Sequence, residues 1–197
     1  MIKAVLFDAG GVLHTAVGSQ SDDLRQELGL TDEQIGKFYA YYLPKIGVGV
    51  IDEVTLWKEM RAEFGIRVVS VEEHLLTRAF EGSLQKIPGM YDLVDKLKLK
   101  GLTVALLTNV SPQFAEILAR EGHYAPFQVK ILSFEVGSWK PDVEIYKTAL
   151  KKVAVRPDEA VFIDDQQENI DAAISLGIHG ILFRDVAQLK SELDQLL

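Results

Sequence analysis

The stretch Lys3-Ala4-Val5-Leu6-Phe7-Asp8-Ala9-Gly10-Gly11 gives the clearest indication of the fold. Its first five residues form a short apolar run, which predicts a buried strand, and the run ends directly in a carboxylate. The Gly10-Gly11 pair that follows is typical of a loop. We therefore expect a buried strand that delivers Asp8 into the loop at its carboxyl end.

Further apolar runs extend this pattern along the chain. Helical patterns of the right length for crossover connections separate the later runs. We therefore expect an α/β fold with a doubly wound, mainly parallel Rossmann-like sheet that is covered by helices on both faces. Ser111-Pro112 predicts a helix start, with Ser as the N-cap and Pro in the first turn. The further runs cover residues 102–107, 129–132, 160–163 and 180–183.

The pattern changes between residues 16 and 87, where the periodicity becomes helical. Two capping-box patterns, which begin at Thr31 and Ser70, mark helix starts in this region. We expect an all-helical cap domain over residues 16–87, inserted into an α/β core domain formed by residues 1–15 and 88–197, with a hinge at Pro88-Gly89. The predicted cap helices cover residues 22–28, 32–43, 52–64 and 71–82.

Composition and charge restrict the partners of the chain. Its 197 residues are 48% hydrophobic, which suits one compact domain or one domain with an insertion. A formal net charge of -8 without a Lys/Arg cluster disfavours nucleic acid and anionic membranes as partners. The absence of cysteine excludes disulfides, thiolate catalysis and Cys-ligated metals. No export signal or membrane-spanning run is visible, so we expect a cytoplasmic protein, and its oligomeric state is left open.

Polar residues lie where open parallel sheets bind ligands, outside the carboxyl ends of the strands. Asp8, Thr108-Asn109 and Asp164-Asp165 each follow an apolar run, and Lys140 precedes a predicted helix. Three converging carboxylates repel one another unless a cation lies between them, and such an oxygen-rich site suits Mg²⁺. Thr108 and Lys140 add a hydroxyl donor and a positive charge, so the constellation favours phosphoryl transfer.

These residues resemble the motifs of the haloacid dehalogenase superfamily, specifically its phosphatase-like members with a helical cap inserted after the first motif. The resemblance covers the whole chain, and within the family the chain is similar to sugar-phosphate phosphatases. It implies a doubly wound core, an aspartyl-phosphate intermediate and one Mg²⁺ ion. The matching motifs, in chain order, are Phe7-Asp8-Ala9-Gly10-Gly11-Val12-Leu13, Leu107-Thr108-Asn109, Gly137-Ser138-Trp139-Lys140-Pro141-Asp142, and Phe162-Ile163-Asp164-Asp165 with Asn169.

The resemblance also implies how these residues would handle a phosphoryl group. Asp8 would attack phosphorus, and Lys140 would neutralise charge between this nucleophile and the phosphate. Thr108, Asn109 and Gly11 would take part with Lys140 in binding the substrate. The implied substrate is a small phosphorylated metabolite, such as a sugar phosphate.

A metal site follows from the same resemblance. Asp165 would be the main protein ligand of the Mg²⁺ ion, and Asp8 would bind it as well. Asp164 would support the ion directly or through water, and the backbone carbonyl of Gly10 would complete the protein's share of the ligands.

Gly10 departs from the family pattern. Most phosphatases of the family carry a second Asp there, which protonates the leaving group and then activates the hydrolytic water. A general acid–base contribution of about 10² to 10⁴ in rate is therefore missing unless another group supplies it. His14 is one candidate for that group, and the alternative for this His is a packed or surface position. We expect a preference for good leaving groups, such as aryl or anomeric sugar phosphates.

The aromatic residues near the predicted site have two interpretations. They can line a substrate pocket under the cap, or they can belong to its core, as aromatic residues at helical spacing usually do. The residues concerned are Phe38, Tyr39, Tyr41, Tyr42, Trp57 and Trp139.

Two alternative functions remain open from the sequence. A metal-free 2-haloacid dehalogenase would also lack the second Asp and would use the same nucleophile on carbon, but the Asp164-Asp165 pair argues against it. A catalytically weak, phosphatase-like binding or regulatory protein would explain Gly10 as lost catalysis. Retention of Asp8, Thr108 and Lys140 beside that acidic pair argues that the phosphoryl site is still assembled.

Overall fold

A computed structural model describes residues 1–16, 29–66 and 84–197 of the chain. Its main feature is a five-stranded sheet in which every described pairing is parallel, as the sequence predicts. An additional two-stranded antiparallel ribbon joins β2 and β3. The strands are β1 (Ala4–Phe7), β2 (His14–Ala16), β3 (Leu84–Lys86), β4 (Thr103–Thr108), β5 (Val129–Leu132), β6 (Ala160–Asp164) and β7 (His179–Leu182).

Helices occupy most of the remaining described chain. A π-helical turn at Phe38–Tyr42 joins the first two of them, and a 3₁₀ turn at Pro157–Glu159 leads into β6. Within the described ranges, no helix has the length and apolarity needed to cross a membrane. The helices are α1 (Asp32–Lys37), α2 (Leu43–Gly47), α3 (Glu53–Phe64), α4 (Met90–Leu99), α5 (Pro112–Arg120), α6 (Ser133–Val136), α7 (Val143–Val153), α8 (Gln167–Ser175) and α9 (Val186–Leu196).

The sheet has the strand order β5-β4-β1-β6-β7, with β1 at its centre. Phe7, the last residue of β1, lies opposite Leu106 of β4 and Ile163 of β6. From β1 the chain passes to β4 and β5 on one side and then returns to β6 and β7 on the other. The strand order therefore reverses beside β1, which is where open α/β sheets bind their ligands.

Alternation along β1 divides the core into two layers. Val5 and Phe7 pack into one hydrophobic cluster with α4, α5 and α9, whereas Ala4 and Leu6 pack into the other with α7 and α8. Successive side chains of a strand point to opposite faces, so a sheet with helices on both sides needs an apolar residue at every position. The continuous apolar run before Asp8 meets that need, and the predicted α/β architecture is confirmed.

The described helices between residues 32 and 64 pack around a cluster of their own, in which Phe38 stacks against Trp57. The Thr31 side chain accepts a hydrogen bond from the Gln34 backbone, which completes the predicted capping box at the start of α1. Asp52 caps α3 in the same way through the Thr55 backbone. The predicted helices over 22–28 and 71–82, and the Ser70 capping box, lie outside the described residues.

Two local features differ from the expectation of a wholly helical insert. The helix expected over residues 32–43 continues to Gly47 and is interrupted by the π turn at Phe38–Tyr42. The β2–β3 ribbon was missed, because two strands of three residues are too short to produce a visible alternation in the sequence. The proposed division at residues 15/16 and 87/88 stays a prediction.

Candidate active site

The ends of three adjacent strands bring four of the predicted site residues to one edge of the sheet. Asp8 follows β1, and its backbone N–H donates to the Ile163 carbonyl of β6 at 2.9 Å. Thr108 ends β4, while Asp164 ends β6 and is followed directly by Asp165. Parallel strands in register therefore place three carboxylates and a hydroxyl side by side, as their positions in the sequence predict.

Lys140 joins this edge from the loop between α6 and α7. Its Nζ atom lies 2.7 Å from Asp8 Oδ1 and 2.7 Å from Asp164 Oδ2, and its side chain is 2% exposed. Asn109 holds this loop, because its Oδ1 accepts from the Lys140 backbone N–H at 2.8 Å and its Nδ2 donates to the Lys140 carbonyl at 3.0 Å. The Asn109 side chain therefore fixes the main chain that carries the lysine.

Asp164 is oriented by partners on both of its oxygens. While Oδ2 pairs with Lys140, Oδ1 accepts from the Gln166 backbone N–H at 2.9 Å and from Asn169 Nδ2 at 3.0 Å. Asp164 is fully buried and Asn169 nearly so. Because each hydrogen bond here has a charged member, the carboxylate has one well-defined orientation.

Asp8, Asp164 and Asp165 each offer a carboxylate oxygen, and these oxygens lie within 4.8 Å of one another. We call these three carboxylates together with Lys140 the floor cluster. Gly11 lies beside it with a φ of +74°, and a Cβ at this position would sit 2.1 Å from Asp165 Oδ2. Only glycine at position 11 leaves room for the Asp165 carboxylate. Gly11 was expected to bind substrate, but it is not among the described residues that line the cavity over the floor cluster.

The electrostatics of the floor cluster favour a cation. The pKa of Asp8 is raised to about 6. Burial is the largest cause, the Lys140 ammonium opposes it by lowering the pKa, and the Asp164 carboxylate raises the pKa further. Burial and the Asp164 carboxylate also raise the pKa of Asp165. Burial lowers the pKa of Lys140, but Asp8 and Asp164 outweigh that effect and hold it above its usual value. One ammonium therefore faces three carboxylates, a set of hard oxygen donors that suits Mg²⁺.

A cavity of about 480 Å³ opens over the floor cluster. Tyr39 and Leu43 line it from the helical segment and Trp139 from the loop of Lys140, and we call these three side chains the apolar wall. Sequence reasoning missed Leu43, Gln166 and Glu168; the last two could have been found, because they lie within three residues of Asp165. The described residues that line the cavity are Asp8, Gly10, Tyr39, Leu43, Thr108, Asn109, Trp139, Lys140, Asp165, Gln166, Glu168 and Asn169.

His14 lies in a buried cluster and not among the described lining residues. Its Nδ1 is 3.3 Å from the Ala9 carbonyl, and its ring packs against the His123 ring at 4.9 Å between centroids. Burial, with a smaller contribution from His123, lowers the pKa of His14 to about 4. A neutral, packed imidazole is a poor proton donor near pH 7, so the structure favours the packing interpretation of His14.

The aromatic residues divide between the two expected roles. Tyr39 lines the cavity, whereas Phe38, Tyr42 and Trp57 belong to the buried cluster of the helical insert. Tyr41 is 49% exposed and borders a different surface depression with Lys37 and Glu59. Trp139 lines the cavity from the loop that also carries Lys140.

Comparison with known proteins agrees with this geometry. Residues 2–177 match the family model of the haloacid dehalogenase-like hydrolases. The sesquiterpene phosphatase astK of Aspergillus oryzae is 30% identical, over 99% of this chain and 96% of that protein. The phosphorylated carbohydrates phosphatase of Thermotoga maritima is 28% identical, over 91% of this chain and 84% of that protein.

A solved structure shares the fold. The HAD family enzyme bt-2542 from Bacteroides thetaiotaomicron, in complex with magnesium and inorganic phosphate, superposes with a TM-score of 0.77 at 24% identity. The superposition covers 96% of this chain and 99% of that one. The two chains therefore share their architecture over nearly their whole length.

Proposed function

The chain belongs to the haloacid dehalogenase-like hydrolases, and from this premise we propose that it is a magnesium-dependent phosphomonoesterase with Asp8 as its nucleophile. The observation that carries the proposal is the floor cluster, in which Lys140 lies 2.7 Å from both Asp8 and Asp164 beneath an open cavity. Similarity to two phosphatases, one of them named for phosphorylated carbohydrates, supports a small organic phosphate as substrate.

The acidic residues fit a Mg²⁺ ion. Asp8, Asp164 and Asp165 bring oxygens within 4.8 Å of one another, and Gly10 lines the same cavity, where its carbonyl is our fourth proposed ligand. Asp165 would be the main ligand, because the oxygens of Asp164 already bond to Lys140, Gln166 and Asn169. When bound, the ion supplies positive charge that lowers the repulsion between the nucleophile and the phosphoryl oxygens.

In the first step that we propose, an Asp8 oxygen bonds to phosphorus as the ester P–O bond breaks and the alcohol leaves. Lys140 offsets the charge that Asp8 and the phosphoryl oxygens bring together. The Thr108 hydroxyl donates to a phosphoryl oxygen, and Asn109 keeps Lys140 in place through its two backbone contacts. Water then attacks phosphorus, which releases inorganic phosphate and restores Asp8.

Gly10 affects which phosphate esters are hydrolysed fastest. It lines the cavity where a second carboxylate is expected, and the buried, neutral His14 does not replace that group. Protonation of the leaving alkoxide then depends on solvent or on the substrate itself. We propose that aryl or anomeric sugar phosphates, whose leaving groups need less protonation, react faster than simple alkyl phosphates.

Hydrolysis of 4-nitrophenyl phosphate tests the proposed function. We expect turnover with Mg²⁺, loss of turnover with EDTA, and a loss of at least about 10³-fold in kcat for Asp8→Asn, because the nucleophile is removed. Asp95→Asn is the matched control, since Asp95 is exposed and pairs only with the neighbouring turn through Lys98 in the described contacts.

Two outcomes would replace the proposal with an alternative. Release of halide from a 2-haloacid without any metal would identify a dehalogenase. Binding of phosphate with Mg²⁺ but no turnover, in the wild type and in Gly10→Asp alike, would identify a phosphatase-like binding protein.

A further inference from the structure

We propose that the apolar wall binds the leaving group of the substrate and selects uncharged, apolar alcohols. This inference rests on the proposed function and narrows its substrate class, from small organic phosphates in general, sugar phosphates included, to the phosphates of apolar alcohols. Tyr39 is 39% exposed and Leu43 and Trp139 are half-buried, and all three line the cavity that contains Asp8 and Lys140. A monoester held by the floor cluster therefore places its organic group against two aromatic rings and a leucine.

Tyr39 and Leu43 lie four residues apart at the π turn, so their side chains project from the same side of the helical segment. On its inner side, Phe38 stacks on Trp57 with ring centroids 6.1 Å apart, and the Tyr42 hydroxyl donates to Glu63 Oε2 at 2.6 Å. These contacts anchor the turn, so that the residues directly after Phe38 and Tyr42 face the cavity. Single π turns occur frequently at functional sites, because the extra residue changes which side chains a helix presents.

Close packing ties the apolar wall to the core. The Trp139 ring lies so near Gly47 that a Cβ there would sit 1.6 Å from a ring atom. The Ser133 hydroxyl lies 2.5 Å from the Gly47 carbonyl, and it also accepts from the Val110 backbone N–H at 2.9 Å. The end of α2 therefore packs against both the loop that carries Lys140 and the start of α6.

Charge restricts the alcohol further. Among the described residues that line the cavity, Lys140 is the one cation, and it already lies 2.7 Å from each of two carboxylates. Glu168 adds a further carboxyl group to the lining. A second anionic group on the substrate would meet repulsion without a counter-charge, so a monophosphate of an uncharged alcohol fits this cavity.

Binding of two phosphonates tests the apolar wall without relying on turnover. Heptylphosphonate and the phosphonate with an ether chain of the same length differ in polarity but not in charge. Calorimetric titration in Mg²⁺ should give a Kd about tenfold lower for heptylphosphonate, because its chain is buried against apolar side chains. Tyr39→Ala should bring the ratio of the two Kd values closer to one, because it removes one of the three apolar side chains, and Tyr39→Phe should keep it.

Tyr41→Ala is the matched control, because Tyr41 is an exposed tyrosine on the same π turn that borders another surface. It should leave the Kd ratio unchanged. Equal Kd values in the wild type, or an unchanged ratio in Tyr39→Ala, would overturn the inference while 4-nitrophenyl phosphate is still hydrolysed. Absence of both binding and hydrolysis would overturn the proposed function and the inference together.

Discussion

The floor cluster and the apolar wall face each other across one cavity, yet they are held in place by different forces. On the floor, buried charges fix one another through hydrogen bonds, as Lys140 does with Asp8 and Asp164. On the wall, exposed Tyr39 and half-buried Leu43 are placed by backbone contacts and close packing behind them. On our two proposals, reactivity depends on the electrostatics of the floor, whereas selectivity depends on how one helical segment is attached.

The largest gain in activity should come from restoring a proton donor to the floor. A Cβ built at Gly10 meets no atom of the described residues within 4 Å, so Gly10→Asp fits without displacing its surroundings. We expect kcat on an alkyl phosphate to rise about 10²-fold or more, because general acid–base catalysis contributes about 10² to 10⁴. Gly10→Asn has the same shape without a titratable carboxyl group and should show no gain. An equal gain from Asn would contradict this role.

Removing the charge of Lys140 should show how strongly the floor cluster depends on charge compensation for its stability. Lys140→Met leaves buried Asp8 and Asp164 facing each other, which should lower the free energy of unfolding by about 3–5 kcal/mol in EDTA. Lys147→Met is the control, because the Lys147–Glu144 pair is exposed and should be worth about 0–1 kcal/mol. Urea denaturation measures both, and equal losses in the two variants would show that the floor is not under electrostatic strain.

The attachment of the wall depends on Ser133, which is fully buried. Ser133→Ala leaves the Val110 N–H and the Gly47 carbonyl without their hydroxyl partner and should cost about 1–3 kcal/mol of unfolding free energy. Kd for heptylphosphonate should rise with little change for the ether phosphonate. Ser175→Ala, at an exposed serine of α8, should change stability by less than about 0.5 kcal/mol. A uniform rise in both Kd values would mean that Ser133 supports the floor instead.

The last prediction concerns the pH dependence of stabilisation by Mg²⁺ at the floor. The folded-state pKa of Asp8, about 6, exceeds its ordinary value of 3.8, so in EDTA its contribution to stability is lost as pH rises between these values. Mg²⁺ binds the ionised carboxylate, and its stabilising effect should therefore grow over the same range. The rise in Tm on adding Mg²⁺ should be larger at about pH 7.5 than at about pH 5. An equal rise at both values would contradict the assignment of Asp8 as a ligand.

The sequence could predict the floor far better than the wall, for a physical reason. An apolar run that ends in Asp8 or Asp164 indicates the end of a strand, and parallel strands in register bring such ends together. No local pattern predicts that Leu43 reaches the cavity, because that depends on how the helical segment packs against the loop of Trp139 and against Ser133. The link between Gly47 and Ser133 joins residues far apart in sequence and leaves no pattern.

Detection of a phosphoryl group on Asp8 would test its proposed role as the nucleophile. Without a carboxylate at position 10, the second step should be slow, and the aspartyl-phosphate should accumulate during turnover of 4-nitrophenyl phosphate with Mg²⁺. Acid quenching followed by peptide mass spectrometry should find the adduct on the peptide that contains Asp8, and it should be absent from Asp8→Asn. Turnover that continues in Asp8→Asn, or an adduct on another residue, would contradict the account.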